Sequence, residues 1–211
     1  MRVLPILFNT EMVKAILDGR KSCTRRIVKP QPKEKTQYPL GYVSDSTDRK
    51  NKGRFAWGID EYGGSLSYAK PQFCIDGILY VRETWYADGN CILYKADNEE
   101  LTGYRDINGN DVTVKWHPSI HMPKEATRIW LNVKDVRVER LKDISGGELL
   151  KEGIDKSLLF DGDVINAFDE FKLLWDSTIK KSDLDTYGWS ANPWVWVIEL
   201  ERCEKPKLIV K

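Results

Sequence analysis

Residues 127–140 read TRIWLNVKDVRVER, and their alternation decides the fold class. Ile129, Leu131 and Val133 fall on one face of a strand, and Val136 and Val138 then fall out of phase with them. One extra residue at Lys134 or Asp135, forming a β-bulge, returns both sets to the same core. Working outward, PWVWVIELE at 193–201 alternates in the same manner, and ILYVR at 78–82 and CILYKA at 91–96 have strand length and strand composition. The Asn108-Gly109 step inside YRDINGNDVTVKW is a hairpin signal. Near the N-terminus, VLPILF at 3–8 is a further short apolar run. Five or six strands with two or three short helices predict an α+β fold, a small and partly open β-barrel.

The helices are marked by their ends. Asn9 or Thr10 can cap a short helix with Met12, Val13, Ile16 and Leu17 on one face, stopped by Gly19. Ser145 and Glu148 have capping-box spacing and start a second helix that ends at Gly153, with Glu152 on its last turn. A third, from about Asp163 to Ser177, sets Val164, Phe168, Phe171 and Trp175 at helical spacing. Between the first helix and the β region, residues 29–72 are polar and rich in proline and glycine, and predict a long surface insertion with at most short strands. Phe55, Trp57, Tyr62 and Tyr68 within it are too many aromatics for a linker.

The 211 residues, 41% of them hydrophobic, suit one domain with one sizeable core. No basic and apolar leader opens the chain, and no run approaches the roughly 20 apolar residues of a membrane span, so a cytoplasmic protein with no membrane partner is expected; the sequence leaves the oligomeric state open, with a monomer favoured. Cys23, Cys74, Cys91 and Cys203 contain no C-x-x-C pair and read as free thiols. His117 and His121 have no Cys or carboxylate at matching spacing and are flanked by prolines, so no metal or other cofactor is expected.

The formal net charge is +1, which gives no general attraction for polyanions, but the charge is uneven. GRKSCTRR at 19–26 packs four cations into eight positions, and from Gly19 to Lys35 seven cations face one carboxylate, Glu34. The segment begins where the first helix ends and leads into a strand over Cys23–Val28, so the cations stand at a helix-to-strand junction. Two readings follow. The cluster is a phosphate-contacting patch without catalysis, or it lines a reactive cleft.

Six ordered blocks carry a family resemblance: PILF at 5–8, G-R-K-S-x-T-R-R at 19–26, LYVRETW at 79–85, PSIHMP at 118–123, VERLKDIS at 138–145 and ANPWVWVIE at 191–199. Together they are similar to the phage and prophage branch of the ASCH-domain family and span nearly the whole chain outside the insertion. The resemblance implies a barrel like that of the RNA-binding PUA domains, with the G-x-K segment in a basic cleft beside it. A bacterial branch removes the acetyl group from N4-acetylcytidine with a lysine and a threonine of this segment and a glutamate from the helix after the central strand. Carried onto this chain, these are Lys21, Thr24 and Glu152, with Glu148 on the same helix as the alternative. The chain departs from the phage branch at Gly146-Gly147, where acidic residues are usual.

Amide hydrolysis without a metal needs a nucleophile, a proton acceptor and donors for the oxyanion. Thr24, Lys21 and Arg25 or Arg26 have the right chemistry. Neighbouring arginines favour a neutral Lys21 that acts as a base, whereas pairing with Glu152 keeps it charged and makes the carboxylate the acceptor. Residues i and i+3 of a regular strand face opposite ways, so Lys21 and Thr24 share a site only if the chain turns between them. Arg20, Arg25, Arg26, Arg82, Glu83, Trp85 and Trp57 are the candidate substrate-binding residues. Arg82 and Glu83 read first as a structural ion pair at a strand end, and Trp57 and Trp85 as rings able to stack on a base. Trp175, Trp194 and Trp196 read as core. The expected partner is a modified nucleoside or single-stranded RNA. The possible activities are amidohydrolysis of an N4-acylated cytidine, RNA binding alone, or cleavage of RNA.

Overall fold

The computed structural model describes residues 3–88, 91–97, 104–105, 108–155, 157 and 164–206. Its organising sheet has five strands: β1 (Val3–Leu7), β2 (Cys23–Ile27), β6 (Ile78–Arg82), β9 (Trp130–Arg140) and β10 (Trp194–Cys203), in the order β1-β6-β9-β10-β2. β1 runs parallel to β6, and the other pairings are antiparallel. Asp135 faces Glu199 and Val133 faces Leu200, so the ladder skips Lys134, where the sequence called for an extra residue. The bulge keeps Ile129, Leu131, Val133 and Val136 in one core.

The sheet carries a core on each face. Trp194, Trp196, Ile198 and Leu200 of β10 join Ile6, Phe8 and Val133 inside the curl. Val195 and Val197 face outward with Cys23, Leu149, Phe171 and Trp175. Alternation along β10 therefore feeds two apolar clusters, which is why this strand is nearly continuously buried. The edge strands β1 and β2 are bridged by a side chain: the Arg26 guanidinium donates to the Leu7 carbonyl at 2.9 Å. The result is the α+β, partly open barrel that the strand pattern predicts.

Helix α1 (Thr10–Leu17) is capped by Asn9, whose side chain accepts from the Met12 N–H at 2.8 Å, and it lays Val13 and Ile16 against the inner core. Helix α2 (Gly146–Lys151) has the complete Ser145/Glu148 capping box, in spite of the glycine pair at its start. Helix α3 (Val164–Ser177) covers the outer face through Ala167, Phe171 and Trp175. Asp163, the expected start of α3, lies outside the described residues, as do Asp106 and Ile107 of the expected hairpin. The described part of that hairpin makes a single bridge, Arg105 to Asp111, with Gly109 at φ +83° in the turn.

The insertion departs from expectation. Residues 38–69 form an antiparallel sheet of β3 (Tyr38–Tyr42), β4 (Phe55–Gly58) and β5 (Ser67–Ala69). β4 is buried along its whole length, and Phe55 and Trp57 pack against Trp194 and Trp196. The segment is thus part of the core as well as surface, because its aromatics close the inner cluster. The half-buried strand pair β7 (Trp85–Asp88) and β8 (Cys91–Tyr94) completes ten strands among the described residues. No described helix is long and apolar enough to cross a membrane.

Candidate functional site

The site begins where α1 ends. Gly19 adopts φ +73°, and the N–H groups of Arg20 and Lys21 both donate to the Ala15 carbonyl, at 2.8 and 2.9 Å. This turn swings Lys21 toward the C-terminus of α2, and Ser22 N–H then donates to the Lys151 carbonyl before β2 starts at Cys23. Gly153, at φ +95°, makes the approach possible: a Cβ there would stand 2.9 Å from the Ala15 Cβ and 3.3 Å from the Lys21 Cβ. Arg20 adds a hydrogen bond to the Gly153 carbonyl at 2.9 Å.

Across 131 residues of sequence, the Lys21 ammonium donates to Glu152 Oε2 at 2.7 Å and to the Glu152 backbone carbonyl at 2.8 Å. The two side chains are 0% and 4% exposed. The second carboxylate oxygen, Oε1, is held by Arg25 at 3.1 Å. Arg25 also meets Glu139 at 3.2 Å and Glu148 at 3.1 Å. Behind it, Arg137 reaches Glu139 and Glu148 at 2.5 Å each and Glu199 at 2.9 Å. Charge removed from water must be paired, and a cation lost from such a set leaves carboxylates stranded. Burial alone would raise the Glu148 pKa, but the Ser145 N–H together with Arg25 and Arg137 outweighs it, and the net effect holds the carboxyl below its usual range. Glu148 therefore serves the helix cap and the arginines, whereas Glu152 contacts Lys21. Cys23, in the middle of the motif, is pushed up to about 12 by burial and by the Glu152 carboxylate.

This pairing corrects the expectation of a basic cleft. Lys21 and Arg25 are buried against carboxylates from β9 and α2, and Arg20 lies on Asp18 at 3.0 Å. The cleft beside them, of about 380 Å³, is lined by Asn9, Met12, Glu11, Arg20, Glu152 and Glu170 among others. Carboxylates outnumber cations along it. Thr24, 2% exposed, lies on the edge strand β2 opposite Ile198. With Arg26, Glu152, Met12 and Phe171 it lines a void of about 30 Å³, room for a water molecule but not for a nucleoside. Met12, Glu152 and Leu174 border both the void and the cleft. The chain does turn between Lys21 and Thr24, and Glu152 is common to their surroundings.

Arg26 differs from its neighbours. Its partners are the Leu7 carbonyl and the Phe8 ring, 5.3 Å away. Burial lowers its pKa from the usual guanidinium value, with Glu152 pulling the other way.

The remaining candidates lie elsewhere. Glu83 is buried and pairs with Arg128 through two hydrogen bonds of 2.9 Å, not with Arg82. Arg128 holds Asp97 as well. Arg82 lies over the Tyr80 ring and donates to the Ile120 carbonyl. Glu83 follows the last residue of β6, and both of its carboxylate oxygens are already taken by Arg128. Trp85 packs on His117 at 5.2 Å, and none of the three lines the cleft of Glu152. Trp57 is 0% exposed and enclosed by Phe55, Trp194 and Trp196, so it offers no face to a base. Sequence reasoning missed Met12 and Glu170 on the cleft wall, Phe8 beneath the cations, and Arg137 with Glu139. The last pair was visible in DVRVE, where alternation opposes Arg137 and Glu139 to Val136 and Val138.

No family model and no curated protein matches the chain. Among solved structures it is similar to an ASCH domain from Lactobacillus crispatus JV V101, with 11% identity over 95% of this chain and 79% of that one, at a TM-score of 0.35.

Proposed function

We propose that the chain is an ASCH-type, metal-independent amidohydrolase that removes the acyl group from a free N4-acylated cytidine nucleoside. One observation carries this reading: the buried contact of 2.7 Å between Lys21 and Glu152 at the wall of a cleft of about 380 Å³. The six sequence blocks that resemble ASCH proteins supply the substrate class. The acidic lining supports an uncharged base as the group bound, since a phosphate chain would be repelled there.

Two of the three ammonium hydrogens of Lys21 go to Glu152. In this arrangement Lys21 anchors the carboxylate, and Glu152 is the proton acceptor. With the nucleoside in the larger cleft, only its acyl end has to enter the void past Met12, Glu152 and Leu174, which border both; there the Thr24 hydroxyl attacks the acyl carbon, and its proton passes to the Glu152 carboxylate. The carbonyl oxygen takes up negative charge beside Arg26. As the C–N4 bond breaks, the proton returns to N4 of the departing cytidine, and water then hydrolyses the acyl-threonine to free acid and threonine.

The test incubates the purified protein with N4-acetylcytidine and, separately, with single-stranded RNA. Acetate and cytidine are expected, with RNA left at full length. Folded protein that releases no acetate overturns the amidohydrolase, and shortened RNA would replace it with a nuclease.

A further inference from the structure

Arg26, which also lines the void with Thr24 and Glu152, borders a second cavity at the mouth of the barrel, whose lining does not include Glu152. It holds about 180 Å³, and its lining includes Arg26, Lys29, Lys70, Phe73, Val136 and Trp196. Three cations converge there, and no carboxylate is among the described lining residues. Among the described residues none of the three makes an ion pair: Arg26 has a carbonyl and a ring, and Lys29 lies over the Tyr187 ring at 4.8 Å. Elsewhere Lys21, Arg25, Arg128 and Arg137 are matched with carboxylates, and Arg82 and Arg140, like Arg26, meet carbonyls and rings; among the described residues, only at this cavity do three such cations line one space. Unmatched positive charge around an apolar floor of Phe73, Val136 and Trp196 calls for a ligand with an anionic end and a flat apolar body.

We propose that the barrel mouth is a separate binding site for a phosphate ester of a planar group, as in a nucleotide, with the phosphate among Arg26, Lys29 and Lys70 and the planar group toward Phe73 and Trp196. The site does not depend on the hydrolase: a chain without turnover would still present it. A phosphate accepts charge-assisted hydrogen bonds from all three cations, whereas inorganic phosphate leaves the apolar floor uncovered and a nucleoside leaves the cations unmatched.

The experiment is calorimetric titration at low salt with cytidine 5′-monophosphate, phenyl phosphate, inorganic phosphate and cytidine. Both esters should bind more tightly than phosphate or cytidine, and cytidine monophosphate binding more tightly than phenyl phosphate would identify the source as a nucleotide. Lys29→Glu with Lys70→Glu should weaken ester binding about tenfold or more, and the Lys29→Gln, Lys70→Gln pair by less. Both lysines are exposed, so the variants should keep the wild-type melting temperature and the wild-type rate of acetate release. Failure of both esters to bind, equal affinity for cytidine and its monophosphate, or ester affinity unchanged in the double variant would each overturn the site.

Discussion

Arg25 and Arg26 are consecutive residues of one strand and sit opposite consecutive residues of β10, Val197 and Trp196. Their surroundings are opposite in kind. Arg25 faces the outer layer, where Glu139, Glu148 and Glu152 neutralise it. Arg26 faces the inner layer and finds a carbonyl and an aromatic ring. Strand alternation sends like charges to unlike places, so the run of cations in GRKSCTRR divides into an internal electrostatic frame and a cation left for ligands.

The largest effect tests that division directly. Arg25→Ala would take one of two cations from each of Glu139, Glu148 and Glu152, leaving buried negative charge in excess, and should cost about 3–5 kcal/mol in denaturant unfolding. Arg26→Ala, which removes one hydrogen bond to a carbonyl, should cost about 1.5 kcal/mol or less. Equal losses would show that the two arginines share one role. Next in size is Gly153→Ala, which forces a side chain into a left-handed conformation against Ala15 and Lys21. A loss of about 1–3 kcal/mol is expected, with acetate release falling as Glu152 is displaced.

Acid sharpens the comparison further. Glu148 has a folded pKa below its unfolded value, so its contribution is present above the unfolded carboxylate range, near about 4.3, and is lost as pH falls through the folded value. Unfolding free energy measured from pH 6 down to pH 2 should therefore fall in the acid limb, and Glu148→Gln should flatten that limb. A variant with the wild-type slope would remove Glu148 from the linkage.

The smallest effect concerns thiols. Burial and Glu152 hold Cys23 protonated at neutral pH, whereas Cys74 is exposed. A maleimide reagent should label Cys74 in the native protein and reach Cys23 after unfolding. Rapid native labelling of Cys23 would mean that the charged frame opens readily.

The strands were legible because period-2 alternation is a local signal, and the skipped residue at Lys134 was legible because two apolar sets out of phase allow one solution. The helix ends were equally local, since a capping side chain reaches three residues along the chain. The fate of the charges was not. Whether a cation is buried and matched depends on partners more than 100 residues away, as Arg25 with Glu139 and Glu152 illustrates. Trp57 misled for the same reason: its flanking glycines and polar residues look like a loop, and only the packing of β4 on Trp194 and Trp196 buries it.

In the proposed amide hydrolysis Glu152, held by Lys21, moves the proton while Thr24 forms the acyl intermediate. Acetate release from N4-acetylcytidine, followed for the wild type, Thr24→Ala, Lys21→Arg and Glu152→Gln at matched folded concentration, tests it most directly. Turnover in the wild type and its loss in all three variants is the predicted result, with nucleoside binding retained by Thr24→Ala. Wild-type turnover in either Thr24→Ala or Glu152→Gln would contradict it.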